Sequence, residues 1–266
     1  MKVVLHIGGS KCGSSAIQAS LRQNAEALAA KGVAVPDQSL GFSSEITGEQ
    51  IWLFENAATK GEEPKVAGLL REAVETAQGR GHTTVIVSAE NICNHPTFAA
   101  PLAEALEGIE VHVVLYVRRQ DDFLISGWQQ WHLKQFDSLS SFLADRVGRV
   151  ANWYEMICPW ADAFGDDHIA VRPFVRDRLK DGDVVADFYE RTGVDQSGLN
   201  PLERLANPSF DEALGRIAHR VRDVFDDQHD NRFYEVMVRL LGPAALKSGS
   251  ASSLLDFQTR ARILAR

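Results

Sequence analysis

The chain has 266 residues, of which 45% are apolar and 24% charged, with 20 Gly and 9 Pro. These globular values exclude a collagen-like, fibrous or wholly disordered chain, and the length allows one large α/β domain or two small ones, of which one is favoured. Asp and Glu number 36 against 28 Lys and Arg, a formal charge of −8. That argues against coating nucleic acid or an anionic membrane by bulk attraction, and leaves room for a small anion site made by a few groups at close range.

The elements follow in chain order. Val3 to Ile7 reads as a short buried strand, and Gly8 to Gly13 as a turn. From Ser14, apolar Ile17, Leu21 and Leu28 predict a helix that closes on Gly32. Val33 to Pro36 is a second short strand, and the mixed stretch 37–63 shows no clear period. Val66 to Gln78 reads as a helix, and the β-branched run Thr83–Ser88 as a buried strand. Glu110 to Val117 is the next strand and Asp121 to Phe136 the next helix.

Strands alternating with helices imply a parallel sheet covered on both faces, a three-layer P-loop-like α/β fold. After residue 150 the pattern turns mainly helical, with one more strand at His168–Arg172. Ser209 to Glu212 forms a capping box before a helix running to about Phe225, and 250–266 reads as a last helix. No linker splits the chain. The expectation is a single domain over 1–266, with a phosphate-binding core over 1–150 and a helical completion over 151–266.

Cys12, Cys93 and Cys158 are too few and too scattered for a disulfide framework or a zinc site, and they fit a reducing compartment. No metal-ligand spacing is visible. The opening MKVVLHIGGSKCG is too short and polar for a signal-peptide core, and no run approaches the roughly 20 apolar residues of a membrane span. A cytoplasmic location is therefore expected.

A strand, a glycine-containing turn and a helix start form the geometry that cradles phosphate, because backbone N–H groups and the helix dipole both point at the anion. Gly8 and Gly13 have the spacing of the two glycines in G-x-x-x-x-G-K-[ST], but Ser14 stands where the lysine belongs. That opposes an ordinary ATPase or GTPase, whose lysine reaches the β- and γ-phosphates from that position. The loop's lysine is Lys11. A charge-assisted hydrogen bond contributes about 1.5–3 kcal/mol against about 0.3–1 for the dipole alone, which favours a specific role for it. A plain tight turn with Lys11 in solvent is the structural alternative.

The run HIGGSKCGSS, from His6 to Ser15, followed by Ile17, Gln18 and Leu21, resembles the 5′-phosphosulfate loop of sulfotransferases that use 3′-phosphoadenosine-5′-phosphosulfate (PAPS). Lys11, Gly13, Ser14 and Ser15 match the family loop. Gly9, Ser10 and Cys12 complete it, with Cys12 where many bacterial members carry Thr. If Cys12 acts through its backbone N–H little is lost; if a hydroxyl is needed there, binding weakens.

The family's 3′-phosphate site resembles a second pattern here. The strand 110–117 ends at Arg118, and Ser126 lies eight residues on in the next helix. Arg118 offers a planar fork suited to a phosphate dianion. Arg119 is the runner-up, and pairing of both arginines with Asp121 and Asp122 is the structural alternative. Arg172-Pro173-Phe174, the run 183–194 and Asn207-Pro208-Ser209 also resemble segments of bacterial members, with no chemistry assigned to them.

By resemblance, Lys11 serves the leaving phosphate and the sulfuryl group, Ser126 restrains that lysine before acceptor binds, and a base takes the acceptor proton. Glu90, just past the strand 83–88, is the candidate base and His95 the alternative; a helix-start acid is the structural reading of Glu90. His6 and His112 lie inside strands and read as packing residues. Trp128 and Trp131 read first as core, and second as the wall of a sugar or aryl acceptor pocket.

The function implied is sulfuryl transfer from PAPS, without a metal, to a hydroxyl of a carbohydrate or small-molecule acceptor, more readily a neutral one than a polyanion. A P-loop kinase-like phosphotransferase and a catalytically silent nucleotide-binding protein are the alternatives. The oligomeric state is not legible.

Overall fold

The computed structural model describes residues 1–42, 50–202, 212–242 and 254–265. The chain divides into two compact units, Met1–Arg118 with Trp153–Glu203, and Arg119–Asn152 with Arg204–Arg266.

The first unit holds the sheet. Strands β1 (Lys2–Gly8), β2 (Val33–Ala34), β3 (Thr84–Ser88), β4 (Glu110–Val117) and β5 (Ile169–Pro173) stand in the order β2-β3-β1-β4-β5, and every neighbouring pair is parallel. Successive residues of a strand face opposite sides. Val3, Leu5 and Ile7 therefore join Val87 and Leu115 on one face, under α3 (Ile51–Lys60), α4 (Glu63–Gly79), α5 (Ala99–Ala105) and α8 (Trp153–Phe164). Val4, Ile86, Val114 and Tyr116 face the other way, against α1 (Ser14–Gln23), α2 (Ala25–Ala30) and α9 (Val184–Thr192). Each such fully buried side chain contributes about 1.5–3 kcal/mol. The result is the expected α/β layering, with the sheet covered on both faces.

Three local expectations change. The helix from Ser14 breaks at Asn24, whose side-chain amide donates to Ser20 O and Asn200 O while its oxygen accepts from Asn200 N–H at 2.7 Å. A buried amide that satisfies two separate stretches of backbone competes with the helix ladder. Within 37–63 lies the helix α3, which buries only Phe54 and Ala57 and leaves Trp52 71% exposed. The helix expected over 121–136 is α6 (Gln120–Gln130), which stops at Trp131 (φ −122°, ψ −54°) before a 3-10 turn at His132–Lys134.

The second unit contains α6, α7 (Leu139–Arg146), α10 (Glu212–Arg220), α11 (Arg232–Leu241) and α12 (Phe257–Leu264), and no strand among its described residues. They meet over Leu124, Ile125, Trp128, Leu133, Phe142, Tyr234 and Ile263. The expected capping box Ser209–Glu212 and the segment Asn207–Ser209 reach outside the described residues. Among those described, no helix is long and apolar enough to cross a membrane.

Candidate anion-binding site

In the strand order β2-β3-β1-β4-β5, the chain leaves β1 toward β2 on one side and later builds β4 and β5 on the other. The carboxyl ends of β1 and β4 therefore flank the switch point, where an open parallel sheet leaves a crevice for ligands. Two sequence-predicted elements lie there, the loop after β1 and Arg118 after β4.

Two glycines shape the loop. Gly8 has φ +115°, and a Cβ on it would stand 2.9 Å from Asn91 N, so its bareness lets the turn carrying Glu90 and Asn91 close against β1. Gly13, the residue before α1, has φ +88°, and a Cβ there would meet Phe174 and Val184 at 2.9 Å. Phe174 and α9 thus clamp the helix start. The loop is also tied to β4 by Gly9 N–H, which donates to Tyr116 O at 3.2 Å.

The amides of Ser10, Cys12, Gly13, Ser14 and Ser15 make no hydrogen bond among the described residues, although Cys12 and Ser14 are buried. These are the donors a helix start leaves over. Unpaired amides in a buried turn with Lys11 among them suit a phosphate-type oxyanion. The Ser14 hydroxyl donates to Gly9 O at 3.2 Å, so it braces the loop, while Ser15 is exposed. Cys12 is fully buried and burial pushes its thiol up to about 12; its side chain is part of the core, and what it offers an anion is its N–H.

Lys11 is half-buried. Burial lowers the pKa of its ammonium first and the charge of Arg118 lowers it further, while Glu90 opposes both. Lys11, Arg118 and Glu90 therefore share one electrostatic environment. Arg118 Nη1 stands 3.5 Å from the Lys11 carbonyl oxygen. Its own carbonyl accepts the Trp153 indole N–H at 2.8 Å, and the same ring lies 3.5 Å from the position of a Cβ on Gly9. Trp153 is the residue that sequence reasoning missed. It lies 35 positions beyond Arg118 and carries no local signal.

The other candidates separate. Arg119 grips Asp121 with two bonds of 2.6 and 2.9 Å, which meets the structural reading of that pair. Asp121 is fully buried; burial raises its pKa most, and the Arg119 hydrogen bonds, the Asp122 N–H and the charges of Arg119 and Arg260 together outweigh that and hold it low. Ser126 is half-buried in the second turn of α6, in the second unit. His95 pairs with Glu55 of α3 at 3.0 Å. His6 is fully buried and bonds Ser88 Oγ at 2.7 Å, a packing role as its strand position implies. Of the two base candidates, Glu90 is the one whose charge acts on Lys11.

No family model matches the chain. Over 112 residues it is 29% identical to an uncharacterised protein of Archaeoglobus fulgidus, a match covering 42% of this chain and 30% of the relative. The chain thus matches under a third of that protein's length. Among solved structures, the sulfotransferase of Alicyclobacillus acidocaldarius aligns over 82% of this chain and 92% of its own, with 16% identity and a TM-score of 0.47.

Proposed function

We propose that this protein is a sulfotransferase that moves a sulfuryl group from PAPS to a hydroxyl of a carbohydrate or small metabolite. The observation that carries the reading is the meeting of Lys11 and Arg118, 3.5 Å apart at Arg118 Nη1 and Lys11 O, beside a helix start with unpaired amides. One cation and the amides suit the 5′-phosphosulfate; a second cation with a planar fork suits the 3′-phosphate. A nucleotide with phosphate on both sides of one ribose matches that pairing better than a triphosphate chain. The lysine a triphosphate needs after Gly13 is replaced by Ser14.

In the reaction, the acceptor oxygen attacks sulfur as its proton passes to the Glu90 carboxylate. The bond from sulfur to the 5′-phosphate oxygen breaks, and its electron pair stays on that oxygen. Lys11 stabilises the charge that develops there, and its lowered pKa makes the ammonium a readier hydrogen-bond donor to it. The products are a sulfate ester and 3′-phosphoadenosine-5′-phosphate (PAP). Ser126, eight residues beyond Arg118 in the sequence, is the residue that the family resemblance assigns to the 3′-phosphate. Trp153 positions Arg118.

Calorimetry tests the reading. PAP is expected to bind far more tightly than ATP with Mg²⁺, and Lys11→Ala and Arg118→Ala each to weaken PAP at least about tenfold. Equal affinity for ATP, or PAP binding untouched by both substitutions, rejects it. A transfer assay over a panel of neutral hydroxyl acceptors then tests the base. Glu90→Gln is expected to keep PAP binding and lose turnover, while His95→Gln keeps both.

A further inference from the structure

The second unit carries a cavity of about 390 Å³ that the sulfuryl-transfer reading does not use. Its volume lies within the roughly 300–1,000 Å³ of small-molecule sites. The walls are Trp128 of α6, Leu133, Leu139 and Leu254, with Gly215 on the facing side of α10. The Trp128 ring lies 5.6 Å from that of His219, a neighbour on the lining whose Nε2 is 3.0 Å from Phe136 O. These walls are apolar and partly aromatic.

The lining also carries polar side chains, Gln129, Asp137, Ser138, Arg216, His219 and Arg220, and two of them are unmatched. Gln129 lines the cavity and is only 9% exposed, yet its amide makes no hydrogen bond among the described residues. The Gln129 side chain is packed over most of its surface, but its amide atoms are not enclosed and stay reachable. The cavity is where this amide can find a partner. Arg220 lines the cavity from the last turn of α10, is exposed, and has no ion pair among the described residues. The acid on the same lining, Asp137, is already held by Arg222 at 2.7 Å. The lining therefore offers an unmatched positive charge, an amide that both donates and accepts, and a slot between an indole and leucines.

We propose that this cavity binds a small amphipathic organic acid with a flat apolar body, an anionic head held by Arg220 and one further polar group held by the Gln129 amide. The indole face and the leucines take the body. The guanidinium takes the head, as a planar fork suits a carboxylate or sulfate. This site is made wholly within the second unit and does not rest on the assignment of the loop after β1.

The probe is 6-hydroxy-2-naphthoate, titrated by calorimetry into the full chain beside 2-naphthoate and 2-naphthylmethylamine. The hydroxylated acid is expected to bind best and the amine at least tenfold worse. Arg220→Ala should weaken the acid about tenfold, and Gln129→Leu should erase the advantage of the hydroxyl. The decisive variant is Gly215→Leu. A Cβ there meets only Leu133 Cδ2, at 3.8 Å, and Leu is a better helix former than Gly, so the unit should fold and melt as before with its cavity filled. Loss of binding at an unchanged melting temperature supports the site. Full affinity in Gly215→Leu, equal affinity for the amine, or no binding of the acid to the parent chain overturns it. None of these substitutions touches the loop, so failure here leaves the sulfuryl-transfer reading standing.

Discussion

The two units make their candidate sites from different materials. At the end of β1 the recognising groups are mostly backbone: five amides of a strand-to-helix turn, with Lys11 and Arg118 adding charge. In the helical unit the groups are side chains throughout, Trp128, Gln129 and Arg220 among leucines. A site made of backbone depends on whatever fixes the backbone. A site made of side chains depends on the packing of helix faces. The first should therefore be broken by distant scaffold changes and the second by local volume changes.

The largest expected effect tests that dependence. α9, which clamps Gly13 through Val184, is anchored by Asp187, a fully buried carboxylate. Asp187 accepts from Tyr116 O–H at 2.9 Å, from Arg172 Nε and Nη2 at 3.1 and 2.7 Å, and from Lys180 N–H at 3.1 Å. Arg172→Leu leaves that charge short of its cation, a change that destabilises by about 3–5 kcal/mol when a buried pair is broken. Denaturant unfolding should read that loss, with weaker PAP binding beside it. A cost below about 1 kcal/mol would mean that the anchor is not needed.

Next comes Lys11→Ala. Removing one stabilising donor from a developing oxyanion slows a reaction by about 10²–10³-fold. The melting temperature should hold, since a half-buried charge is being removed and not a core group. A rate within tenfold of the parent would take Lys11 out of the chemistry and leave the backbone alone as the site.

The difference in materials also explains what was legible. A backbone site writes a code into the sequence: glycines at positive φ, at positions 8 and 13, and a lysine between them. The strands were legible because a sheet buried on both faces needs continuous apolar runs such as Val3–Ile7. The helix α3 was not, because it buries two residues and shows no stripe. The break at Asn24 rests on one side chain meeting Asn200, and the support of Arg118 on Trp153, partners no local period reveals. Gln129 is the clearest case. It reads as one more polar residue on a helix, and only the folded unit shows it 9% exposed on the wall of a cavity.

A smaller effect separates scaffold from site by pH. His6 is fully buried on β1 with Nε2 unpartnered; burial lowers its pKa from 6.5 to about 4, against an opposing hydrogen bond with the Gly8 backbone. The folded chain keeps this ring neutral while the unfolded chain protonates it. Stability is thus fully present above pH 6.5 and is lost as pH falls from 6.5 toward 4. By pH 5 the loss is about 2 kcal/mol at 1.36 kcal/mol per unit. Urea unfolding of the parent and of His6→Gln at pH 7 and pH 5 reads it as the difference between the two slopes. Parallel slopes would show that His6 does not carry the term.

The smallest effect is the sharpest for the site. Arg118 and Arg119 are neighbours in sequence, and either spacing to Ser126 suits a 3′-phosphate. Their surroundings differ. Arg119 is committed to Asp121 through two hydrogen bonds, and Asp121 also pairs with Arg260, so the acid keeps a cation when Arg119 is cut back. Arg119→Ala should therefore leave PAP affinity within about twofold and destabilise by no more than about 1 kcal/mol, the scale of a half-exposed pair. Arg118 instead lies against the Lys11 carbonyl and acts on the Lys11 charge, so Arg118→Ala should weaken PAP about tenfold. Calorimetry on the two variants, side by side, decides between adjacent residues. Should Arg119→Ala weaken PAP as much as Arg118→Ala does, the 3′-phosphate assignment moves one residue along the chain and takes the buried Asp121 network with it.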